Sequence, residues 1–129
     1  MKTGIVLEGG AFRTIYSSGV CDGLLTGDVM TDYVIGVSAG IAYGVSYVSK
    51  QPRRNLEILT RFVNDRRYMG LNNLVARHNR SYFGLEFSYC TTPNELVTFG
   101  YQPFQDFTGH VEAGVTHRET GTAGYHAVP

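Results

Sequence analysis

Apolar positions come in two kinds of run along the chain. Thr3-Gly4-Ile5-Val6-Leu7 is short and β-branched, and a small-residue loop, Glu8-Gly9-Gly10-Ala11-Phe12-Arg13-Thr14, follows it. A helical stretch then runs from Ile15 to Leu25 and stops at Thr26-Gly27-Asp28. The pattern repeats at once: the apolar run Tyr33-Val34-Ile35 leads into Gly36-Val37-Ser38-Ala39-Gly40, and Ile41 to Val48 has the length and apolar character of a buried helix. Two strand–loop–helix units in succession predict that Lys2–Leu7 and Asp32–Gly36 are adjacent parallel strands of a buried sheet. Both loops then leave at its carboxyl edge, where an open α/β sheet builds its site.

Farther on the pattern loosens. Pro52 to Val63 reads as a helix with Leu56, Leu59 and Val63 on one face and arginines on others. Gly70 to Gly84 is irregular, and Thr92-Pro93-Asn94-Glu95-Leu96 is a turn opening a short helix or strand. His110–Thr116 has a period of two, Arg118–Gly121 is a turn, and Thr122–Val128 returns as the second strand of a hairpin.

The strand that ends in Gly36-Val37-Ser38-Ala39-Gly40 has the form of a nucleophile elbow. There the turn into the helix is so tight that the serine takes a strained backbone conformation and its hydroxyl projects outward. The flanking Gly36 and Gly40 keep side chains out of the turn, and the following helix aims its unpaired N–H groups at Ser38. The first loop is a second candidate. Successive small residues gather backbone N–H groups into an anion nest, backed by a helix dipole. A dinucleotide fingerprint fails at Ala11 and Thr14, and no Gly-Lys-Ser/Thr is present. An oxyanion hole remains, formed by Gly9, Gly10 and Ala11, with the positive charge of Arg13 beside it.

Together these segments resemble the patatin-like phospholipase family. The resemblance runs through Thr3–Gly10, Arg13 and Asp32–Gly40, and extends to Tyr47-Val48-Ser49, Arg53-Arg54-Asn55 and Arg67-Tyr68-Met69-Gly70, which recur in the small bacterial branch. It implies a three-layer α/β/α fold with a mainly parallel central sheet. It also implies a Ser–Asp dyad that hydrolyses acyl esters of lipids without a histidine. Two departures stand out. Ala11 and Thr14 replace the third and last glycines of the family's Gly-Gly-Gly-x-Arg-Gly loop. The Asp-Gly-Gly or Asp-Gly-Ala motif that supplies the dyad aspartate is absent; Asp22-Gly23-Leu24 precedes Ser38 and falls within the first helix. The expectation is therefore the N-terminal part of one patatin-like domain, with the 129-residue chain alone a poor esterase or an inactive one.

Composition adjusts this picture little. With 43% apolar and 17% charged residues, the chain suits one core. No run reaches the ~20 apolar residues of a membrane span, so cytoplasmic residence is the default. Cys21 and Cys90 are far apart, and no disulfide is expected. The four histidines lack metal-ligand spacing, and neither metal nor cofactor is expected. Net charge is zero, yet residues 50–80 carry an excess of arginine that suits peripheral contact with an anionic membrane; nucleic-acid signatures are missing. Two other functions compete: an α/β-hydrolase esterase using His126 in a triad, and a lipid- or anion-binding remnant without a base.

Overall fold

A computed structural model describes residues 1–129, which form two compact units: Met1–Arg53 with Gly100–Pro129, and Arg54–Phe99. The first holds a four-stranded sheet in the order β1 (Gly4–Leu7), β2 (Tyr33–Val37), β3 (His110–Thr116), β4 (Ala123–Ala127). β1, β2 and β3 are parallel, and β4 closes an antiparallel hairpin on β3. The expected pairing of the first two strands is present, with Leu7 opposite Gly36. The fold is thus α/β with a mostly parallel sheet.

A 3₁₀ turn (Ala11–Thr14) runs directly into α1 (Ile15–Thr26), and α2 (Ala39–Val48) follows β2 without a loop residue beyond Ser38. Both helices pack on one face of the sheet, where Leu7, Cys21, Val34, Tyr47, Val48 and Val111 form the core. Tyr47 is fully buried with its hydroxyl satisfied: it donates to the Val29 carbonyl at 2.9 Å and accepts the Thr31 N–H at 3.0 Å. Burial pushes the Cys21 thiol up to about 11, which keeps it protonated and inert at neutral pH.

The opposite face differs from the doubly buried sheet that the β-branched strands imply. Val6, Val37 and Tyr125 stand there exposed. A run of apolar residues reports only that a strand is apolar on both sides, not that this stretch of chain covers both.

The second unit contains α3 (Arg54–Phe62), the short α4 (Leu71–Val75) and a π-helical segment, Phe87–Leu96. Its core joins Phe62, Phe87 and Val97, the two rings meeting edge-on at 5.3 Å. In α3 the inward stripe is Asn55, Ile58 and Phe62, while Leu56 and Val63 are exposed. This corrects the face expected from Leu56, Leu59 and Val63; the large Phe62 ring, paired with Phe87, decides the rotation. The turn expected at Thr92–Leu96 is instead the second half of the π-helix. Pro93 has no N–H to give, and Thr92 Oγ1 donates to the Phe87 carbonyl, five residues back, at 2.7 Å. A short α5 (Tyr101–Gln105) leads into β3 in the first unit.

Candidate active site

β1 and β2 end side by side, so their loops share the carboxyl edge of the sheet. Ser38 stands there as the single residue between β2 and α2, exposed, at φ 54° and ψ −124°. That is a strained conformation for a residue with a Cβ, of the kind found where surrounding structure over-determines the backbone. Gly36 and Gly40 show what does so here. A Cβ on Gly36 would lie 2.5 Å from the Ile41 nitrogen, and one on Gly40 would overlap the Leu7 and Glu8 carbonyls. The elbow is closed by backbone lying directly on backbone.

That closeness brings the first loop to the serine. A Cβ built on Gly9 would sit 3.2 Å from the Ser38 Cβ. Within the loop the Arg13 N–H donates to the Gly10 carbonyl at 3.1 Å. The amides of Gly9 and Gly10 are not used in that bond. Ala39 opens α2, so its N–H also lies beside Ser38 at a helix N-terminus. Val37, exposed, leans against Gly114 of β3.

The two departures in the loop turn out differently. Ala11 sits at φ 49°, the left-handed region where a Cβ costs about 1 kcal/mol. Thr14 is unstrained at φ −72° and is buried; its hydroxyl donates to the Ala11 carbonyl at 2.6 Å and so pins the strained residue. Ala11→Gly is accordingly expected to raise stability by up to about 1 kcal/mol, read from urea melts. Burial raises the Tyr43 phenol above its ordinary value, with the Thr14 hydroxyl opposing the shift.

Arg13 is less free than its position in the sequence implies. Its guanidinium folds back over Gly10 and forms an ion pair with Glu8 at 3.5 Å, both side chains in solvent. Much of the charge expected at the nest is therefore offset locally, and solvent screens the rest. Glu8 was not singled out by sequence patterning, since nothing but the fold makes it Arg13's partner.

No aspartate of this unit stands at the Ser38 edge. Asp22 lies in α1 and accepts the Arg53 N–H at 2.9 Å. Asp32 precedes β2, at the opposite end of the strand from Ser38, about 20 Å away at 3.3 Å per residue. The Thr3 amide donates to it at 2.7 Å and holds its carboxyl below the usual range. Asp32 and Asp106 both line a cleft of about 660 Å³ at that amino edge, with Lys2, Lys50 and His110. This cleft thus lies at the opposite edge of the sheet from the serine.

His126, the histidine of a would-be triad, sits in β4 opposite Ala113, with β3 between it and β2. His117 does leave β3 at the serine's edge, but its ring lies over Gly124 and 6.0 Å from the His126 ring, turned toward the hairpin. No cluster of histidine, cysteine and carboxylate side chains can hold a metal ion. No helix is long and apolar enough to cross a membrane.

A family model described as Patatin-like phospholipase matches residues 5–116, a span from β1 through the loop and elbow to the end of β3. No curated protein and no solved structure matches the chain.

Proposed function

Because the chain belongs to the patatin-like phospholipase family, we propose that Ser38 is the nucleophile of a lipid acyl hydrolase. The observation that carries this reading is the junction of a strained, exposed serine with the Gly9–Gly10 loop at one edge of the sheet.

Ser38 Oγ attacks the carbonyl carbon of an acyl ester while a base takes its proton. The negative charge that develops on the carbonyl oxygen is met by the amides of Gly9, Gly10 and Ala11, with the Ala39 N–H at the helix start beside them. The alcohol leaves with that proton, and water then releases the acid from the serine ester by the reverse steps. Arg13, tethered to Glu8, orders the loop and lends weak positive potential at its mouth.

The base is none of Asp22, Asp28, Asp32 or Asp106, whose positions are in α1 or toward the amino edge. We assign the role to an aspartate outside residues 1–129, which are read as the N-terminal part of one catalytic domain. Partial catalysis by the oxyanion donors still gives the chain alone a rate about 10³-fold above water.

A fluorophosphonate probe tests the nucleophile directly. The adduct is expected on the peptide bearing Ser38, slowly in the 129-residue chain, and to be absent from Ser38→Ala. An equal yield of adduct in the alanine variant would overturn the assignment.

A further inference from the structure

Residues 68–85 of the second unit have their polarity reversed. Two asparagines, side chains at home in water, are turned inward. Asn73 Nδ2 donates to the carbonyls of Arg66 and Tyr82, both at 3.2 Å. Asn79 Nδ2 donates to those of Asn73, Ser81 and Phe83 at 3.3, 2.8 and 2.7 Å, and Asn79 Oδ1 accepts the Leu85 N–H at 2.9 Å. Backbone bonds from Gly70 N–H to the Tyr82 carbonyl and from Gly84 N–H to the Tyr68 carbonyl close the lobe.

The aliphatic side chains of α4 face out. Leu71 is 74% exposed, Leu74 46% and Val75 83%, and the helix buries no residue at all. Folding gains almost nothing from Leu71 and Val75 where they stand.

Charge within the segment has one sign. From Arg66 to Leu85 the chain carries four arginines and a histidine and no carboxylate. Arg67 is tied to Asp65 at 2.7 Å; Arg66, Arg77 and Arg80 are exposed and join none of the ion pairs. Exposed aliphatic side chains in a segment whose only charges are cations match the surface of an anionic bilayer, with acyl chains for the former and phosphates for the latter. A protein partner fits less well. One short helix offers far less than the ~800 Å² per side that a stable protein interface takes, whereas a bilayer needs only a few inserted side chains.

We propose that the 68–85 lobe is a membrane anchor, inserting Leu71, Leu74 and Val75 into an anionic lipid surface with Arg66, Arg77 and Arg80 on its phosphates. This names where the protein meets lipid and does not depend on what Ser38 does there.

Co-sedimentation with vesicles of phosphatidylcholine, with and without phosphatidylserine, tests it. Leu71→Ser with Val75→Ser is expected to lower partitioning at least ~30-fold. Arg77→Gln with Arg80→Gln is expected to lower it about 25-fold, on the anionic vesicles alone. Lys2→Gln, outside the lobe, changes neither, and Ser38→Ala binds as the parent does. The chain contains no tryptophan, so Leu71→Trp introduces a single reporter whose emission shifts to the blue when anionic vesicles are added. The proposal falls if vesicles are not bound, or if binding ignores the Leu71 and Val75 changes. It also falls if those changes instead abolish self-association without lipid, which would make the patch a contact between copies.

Discussion

Ser38→Ala is expected to lower ester turnover by about 10³- to 10⁶-fold in a protein that contains both members of the dyad, with the melting temperature almost unmoved. On the proposed mechanism, removing the hydroxyl removes the attacking atom, and nothing at the turn can replace it. Stability is spared because Ser38 is exposed and its side chain makes no capping bond to α2. Alanine also keeps the Cβ, so the strain at φ 54° remains. Ser38→Gly separates the two effects: it is equally inactive but relieves the backbone, gaining up to about 1 kcal/mol. Steady-state turnover of a chromogenic ester, measured beside thermal melts, reads both quantities. Undiminished turnover in the alanine variant would remove Ser38 from the chemistry.

Gly40→Ala is expected to cost about 3 kcal/mol or more, a large share of the stability of a typical domain. The added methyl meets the carbonyls of Leu7 and Glu8, which are main chain at the end of β1 and cannot swing aside as a side chain would. Relief requires α2 to move off the β1 loop, so the junction of Gly9 with Ser38 opens as well. Gly23→Ala provides the contrast. A Cβ there meets nothing within 4 Å, and α1 gains helix propensity, for up to about 1 kcal/mol of added stability. Urea melts of the pair should move in opposite directions; a Gly40 variant as stable as its parent would mean that the elbow is looser than described.

The tight strand–helix turn at Ser38 could be read from five residues because its causes are local: a strand end, and glycines wherever backbone touches backbone. The β3–β4 hairpin was legible for the same reason, since alternation and a turn signal lie within the segment itself. Properties set by distant partners were not. The rotation of α3 depends on Phe62 finding Phe87, and the pairing of Arg13 with Glu8 depends on how the loop folds back. The π-helix has no hydrophobic period of its own, and Pro93 looked like punctuation for a turn rather than part of a helix. The outward set of Leu71 and Val75 was also hidden, because apolar residues in a sequence are presumed to go inside.

Gln51 Oε1 accepts the Gly100 N–H at 2.8 Å, while Arg54 Nη2 donates to the Val97 carbonyl at 3.0 Å. The first bond ties residues of the first unit and the second ties the two ends of the second unit to each other. For the order of assembly this matters more than for the finished fold. β1, α1, β2 and α2 come from one continuous stretch and can pair early, but β3 must find β2 across the whole intervening chain. Each halving of such a loop saves roughly 0.6 kcal/mol of closure entropy. A second unit that has already folded, with its ends held together, shortens the search for β3 before the strand arrives. Residues 54–99 then act as a pre-tied knot in the rope, and slowing their folding should delay completion of the sheet on which the serine stands.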